Sequence, residues 1–240
     1  VADSTNPPLK ITATLLSQKP RIQGFWIAGI LIFLCALFSL PAWRNQSVMD
    51  ALIASRESVF QKHEGQRLFS ALFVHGDMGH LLSNAYMLFF LSIFVFGNLA
   101  LSIRGAFQLL GVLLIGGALA NALTLLSYKP QVGLLGISGF VYLLAGYWFV
   151  NYLLIDRRRS FGARLVRVIG VCLVILFPTT FEPQVSYLCH LHGFWLGLVF
   201  GSLGFFMFKG KIRSFEVFAT EESPDSEPLV QTDESMIFPE

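Results

Sequence analysis

Charge is scarce in this chain of 240 residues: Asp, Glu, Lys and Arg make up 13% against 54% apolar, which excludes an ordinary water-soluble domain. Cysteine is scarcer. Cys35, Cys172 and Cys189 are scattered through apolar stretches at spacings that fit neither a disulfide framework nor a metal-ligand set, so they read as small buried hydrophobes. No metal or other cofactor is expected. Positive charge is missing altogether after Arg213, where Glu216, Glu221, Glu222, Asp225, Glu227, Asp233, Glu234 and Glu240 accumulate. Set those eight acids aside and seventeen bases face seven acids, a net +10. The pattern is a basic membrane portion with an acidic tail, with no nucleic-acid partner expected.

What the sequence has in place of charge is length of apolar run. Blocks extend from Gly24 to about Pro41, then from about Leu81 to Leu101, Ala106 to Leu126, Leu134 to Ile155, Leu165 to Phe177 and Tyr187 to Phe208. About 20 apolar residues span a bilayer as a helix, so these predict an all-α polytopic membrane protein with six transmembrane helices. The fifth block is the weakest, because Arg164 and Arg167 trim its start. Between the first two blocks, residues 42 to 80 alternate charged and apolar side chains. That is the pattern of a long first loop with structure of its own, lying at or partly in the membrane interface.

The domain plan follows. Residues 1–23 are a polar lead-in rather than a cleavable signal, 24–208 the membrane domain, and 209–240 a basic then acidic tail, disordered from about Ser214. Basic residues precede helix one, cluster from Arg157 to Arg167 between helices four and five, and follow helix six, whereas Lys129 stands alone between three and four. By the positive-inside rule both termini are cytoplasmic. A compact six-helix form suits a bacterial inner membrane.

Depth then sorts the polar residues inside the blocks. Ser138, between Gly136 and Gly139, lies at the start of helix four; His80 and Asn84, on one helical face, at the start of helix two; His190 about one turn into helix six. All three helices are entered from outside, so these groups share one level. Polar groups at such depth are costly and mark function by default. A serine hydroxyl needs a base to take its proton, and an acyl-transfer site needs donors for the developing oxyanion. Ser138, His190, Asn84 and His80 supply both. No Asp or Glu lies at this depth to orient His190, so the site would be a dyad. Gly193, Gly197 and Gly201 form a small-residue ridge down helix six that admits a neighbouring helix, and Tyr142, one turn below Ser138, is placed to hold the imidazole.

These residues carry a resemblance to the rhomboid family of intramembrane serine proteases. His75, His80 and Asn84 match the family's histidines and asparagine; Gly136-Ile137-Ser138-Gly139 with Tyr142 matches its Gly-x-Ser-Gly motif and trailing tyrosine; His190 with Gly193 and Gly197 matches its His-x-x-Gly-x-x-x-Gly. The resemblance covers roughly residues 24 to 208. It implies a rhomboid-like bundle in which Ser138 is the nucleophile and His190 the base. His80, Asn84 and the Ser138 N–H would form the oxyanion hole, with Tyr142 and His75 supporting. It also implies that the first loop and the loop from about Pro178 to Ser186 border a water-filled cavity. Gln66-Arg67 departs from the family's frequent Trp-Arg, and Cys189 replaces a frequent Ala. His192 reads as a packing residue.

The expected activity is endoproteolysis of single-pass transmembrane proteins near the external face, with the bilayer and those substrates as partners. An inactive rhomboid-like protein that binds transmembrane clients is the alternative. A small transporter is the third reading, and it fits less well because the polar cluster lies toward one surface and no internal repeat is found.

Overall fold

A computed structural model of the chain describes residues 9–176 and 186–220. In a bilayer core, peptide N–H and C=O groups must be paired within the segment, so the long apolar runs become helices. Strand β1 (Leu9–Ala13) leads into α1 (Gln23–Arg44). The first loop then folds as α2 (Gln46–Leu52), β2 (Ala54–Ser55), a π turn over Glu57–Gln61, and α3 (Arg67–Phe73). Next come α4 (Met78–Ser92, prolonged by a π turn over Ile93–Gly97), α5 (Ile103–Ser127), β3 (Gly133–Leu134), α6 (Ser138–Ile155), α7 (Phe161–Leu176), α8 (Tyr187–Arg213) and β4 (Val217–Thr220). Among the described residues five helices are long and apolar enough to cross a membrane: α1, α4 with its π turn, α5, α6 and α8. The protein is a polytopic, all-α membrane protein. The expected weak fifth helix is α7, 16 residues long.

Helix α6 is the axis of the bundle. Twelve of its 18 residues are buried, including Phe140, Leu143, Leu144 and Trp148, as suits a helix that is apolar on every side. Its closest partner is α8. A Cβ on Gly193 would fall inside van der Waals distance of the Gly139 carbonyl oxygen, and one on Gly197 inside that of Leu143. Those obstacles are backbone, which no rotamer change can clear. The predicted small-residue ridge is thus the seam between α6 and α8.

The first loop is held by hydrogen bonds to its own backbone. Arg67 donates to the carbonyls of Asp50 and Ile53 at the end of α2 and pairs with Glu64 at 2.6 Å. Gln66, where the resemblance expects tryptophan, is exposed, so the anchor is Arg67. β2 pairs antiparallel with β3, tying this loop to the segment that leads into α6.

One expectation is corrected. The tail was expected to be disordered from Ser214, yet Val217–Thr220 form β4, paired antiparallel with β1 in the register Leu9↔Thr220 and Lys10↔Ala219. The peptide groups of both segments find partners in each other, and Glu216 adds an ion pair with Arg157 at 3.2 Å. Residues 221–240, and all of the Pro178–Ser186 loop but Ser186, lie outside the described residues.

Candidate active site

The site is built at the end of the bundle where α4, α6 and α8 begin. Opposite Gly139 the α6–α8 gap is filled by Cys189 Sγ, which stands 2.5 Å from where a Gly139 Cβ would be. Only glycine leaves room there for the larger residue that replaces alanine. This contact brings Ser138, just before Gly139, and His190, just after Cys189, to the same end of the seam. The His190 ring lies flat on Tyr142, centroids 4.0 Å apart and planes 12° apart, with Tyr187 edge-on at 6.2 Å. Ser138 is 7% exposed and His190 4%. Among the described residues neither ring nitrogen of His190 has a hydrogen-bond partner, so the stack fixes the ring's plane while its nitrogens remain uncommitted there.

The turn before Ser138 is set from three sides. Gly136 has φ +103°, a backbone region that side chains disfavour, and a Cβ there would meet His80 Cε1 at 2.8 Å. Its N–H donates to the Ala71 carbonyl of α3 at 2.8 Å. The next N–H, that of Ile137, donates to His75 Nε2 at 3.5 Å. Nε2 is therefore the unprotonated nitrogen, and Nδ1–H faces Ser39 Oγ at 3.3 Å. Ser39 in turn accepts from the His75 N–H at 3.0 Å and donates to the Phe73 carbonyl at 3.4 Å. His75 is fully buried in the connection before α4. Burial first, and then the neighbouring His80, push its pKa down to about 3, so it stands there as a neutral acceptor.

His80 and Asn84 occupy the first turns of α4, which Asp77 caps by accepting the His80 N–H at 2.8 Å. The His80 ring sits against Gly136 and edge-on to His75, centroids 5.0 Å apart. Asn84 is fully buried; its Nδ2 donates to the His80 carbonyl at 2.9 Å, which uses one of two amide hydrogens. Ser186 caps α8 through the Cys189 N–H at 3.2 Å, but α6 begins with no side-chain cap. Its first N–H groups, from Ser138 onward, lack acceptors within the helix. Chemically the site offers a hydroxyl, an imidazole with free nitrogens, an amide N–H, a second imidazole and an uncapped positive helix end. That set suits attack on a carbonyl and stabilisation of the oxyanion that follows.

Residues 62–207, more than half of the chain, match the Rhomboid domain family. The chain belongs to the rhomboid family. It is also similar to Rhomboid-related protein 2 of Mus musculus, 27% identical over 152 residues that cover 59% of this chain and 48% of that protein. The chain thus spans about half the length of that curated relative. The rhomboid motif residues Ser138, His190, Tyr142, Gly136, Gly139, His80, Asn84 and His75 converge at one end of the fold.

Sequence reasoning missed Asn121 and Ser39. Asn121, buried in α5, donates to the Leu68 carbonyl of α3 at 3.0 Å and accepts from Cys189 Sγ at 3.4 Å, joining the first loop to the helix that carries His190. Both are polar residues inside apolar blocks, and the depth argument extended to α1 and α5 finds them. His192, half-buried, sits 3.0 Å from Thr124 Oγ1 through Nδ1 and bridges α8 to α5.

Proposed function

We propose that this rhomboid is an intramembrane serine endopeptidase. His190 takes the proton of Ser138 as Oγ attacks the scissile carbonyl. The oxyanion is held by the Ser138 N–H, His80 and the second amide hydrogen of Asn84. Collapse breaks the C–N bond, with His190 returning the proton to the leaving amine, and water then attacks the acyl-enzyme by the same route. The observation that supports this reading is the Tyr142–His190 stack beside the glycine seam, with the residues proposed as base and nucleophile on two helices in direct contact. Helical peptide bonds are shielded by their own hydrogen bonds. Substrates would therefore be transmembrane segments loosened by Gly or Pro near the end of the bilayer that faces the site. Purified protein should cleave a test transmembrane substrate while Ser138→Ala does not; equal cleavage by both would overturn the assignment.

A second reading has its own observation. His190 makes no hydrogen bond to Ser138, which would suit a protein that binds clients without cutting them. Catalytic hydrogen bonds often tighten only with substrate in place, which favours the first reading. Fluorophosphonate labelling present in wild type and absent in Ser138→Ala supports the protease; absence in both supports the client binder.

A further inference from the structure

At the opposite end of the bundle from Ser138, a groove of about 610 Å³ runs between α5 and α8 with Tyr147 and Asn151 of α6 at its floor. Its walls are apolar, and Val112, Leu203 and Met207 are more than half exposed on the face that looks out to lipid. On α8 the lining runs from Phe200 to Ile212, thirteen residues whose rise is about 18 Å. The groove is apolar, elongated and open toward lipid, a shape that suits an extended hydrocarbon chain.

The mouth of the groove is positively charged. Lys211 lines it, and among the described residues no Asp or Glu does. Arg104 and Lys209 flank it in sequence, and none of the three has an ion-pair partner among the described residues. The described acids at this end, Asp156 and Glu216, are paired with Arg158 and Arg157. Fixed positive charge at the membrane end of an apolar groove is complementary to one ligand class.

We propose that the α5–α8 groove binds an anionic glycerophospholipid, an acyl chain lying along Val112 and Leu203 and the phosphate meeting Lys211. The site is remote from Ser138 and independent of whether the protein cuts. The test is native mass spectrometry of the full chain released from micelles holding equal phosphatidylglycerol and phosphatidylcholine. Wild type should retain phosphatidylglycerol at least several-fold over phosphatidylcholine. Lys211→Glu should abolish the preference, Lys211→Arg should keep it, and Val112→Trp, a substitution at an exposed position, should reduce retention of the lipid itself. Excess glycerol phosphate should not displace the adduct, because the chain is part of what is recognised. Equal retention of both lipids, an unchanged preference in Lys211→Glu, or displacement by glycerol phosphate alone would each overturn the proposal.

Discussion

Tyr142 meets the candidate base face to face, at 4.0 Å between centroids. A ring pair of this kind contributes about 0.5–1.5 kcal/mol beyond area burial. Deleting it lets the His190 ring leave its plane. If that energy is expressed only as His190 is positioned for proton transfer, Tyr142→Ala should lower kcat by about 2- to 13-fold with KM little changed. Tyr142→Phe keeps the ring and should retain more activity than Tyr142→Ala. Steady-state cleavage of a transmembrane substrate reads both, and equal losses in the two variants would discard the stacking role. At this scale the sequence was informative where chemistry and depth coincide. Ser138, His80, Asn84 and His190 declare themselves as polar groups at one level. The Ala71 carbonyl that holds Gly136 could not be read, because a backbone acceptor carries no residue identity, and the Cys189 packing against Gly139 depends on which helices touch.

Among the elements, the connection from α3 to α4 has a measurable pH signature. His75 accepts from Ile137 only while neutral, and its pKa is pushed down to about 3, by burial and then by His80, against an ordinary 6.5. Between those values the unfolded chain binds a proton that the native one refuses, so stability falls as pH drops from about 6.5 toward about 3; above 6.5 this group adds no slope. Thermal midpoints of Ser138→Ala protein should decline across that window, and adding His75→Gln, which can still accept from Ile137 but does not titrate, should flatten part of the decline. Parallel slopes would show that His75 is not the group responsible. Several elements were legible because long apolar runs in lipid have one solution: the six helix positions lie within a few residues of those predicted. The π turn that prolongs α4 and the two-residue pairing of β2 with β3 were not. Both are settled by neighbours, and neither leaves a period in the sequence.

For the whole molecule, strand pairing decides the number of crossings. Among the described residues five helices meet the length and hydropathy of a span, and an odd number of crossings would put the two chain ends on opposite faces. Yet β1 pairs with β4, so residues 9–13 and 217–220 share a face and the count is even. The pairing therefore predicts that helix α7, described over Phe161–Leu176, is the sixth crossing. This pairing was invisible to sequence reasoning, because two short strands at the far ends of the chain carry no mutual signal. The consequence is testable with single cysteines and a membrane-impermeant maleimide on sealed vesicles. Cysteines replacing Thr12, Ser160 and Thr220 should label together from one face, and one replacing Lys129 from the other. The charge bias, with Arg157, Arg158, Arg159, Lys209, Lys211 and Arg213 on the side of the termini, predicts that the shared face is the cytoplasmic one, which vesicles of known orientation would test. Labelling of Thr12→Cys and Thr220→Cys from opposite faces would mean that α7 does not cross and that the strand pair does not form in the membrane.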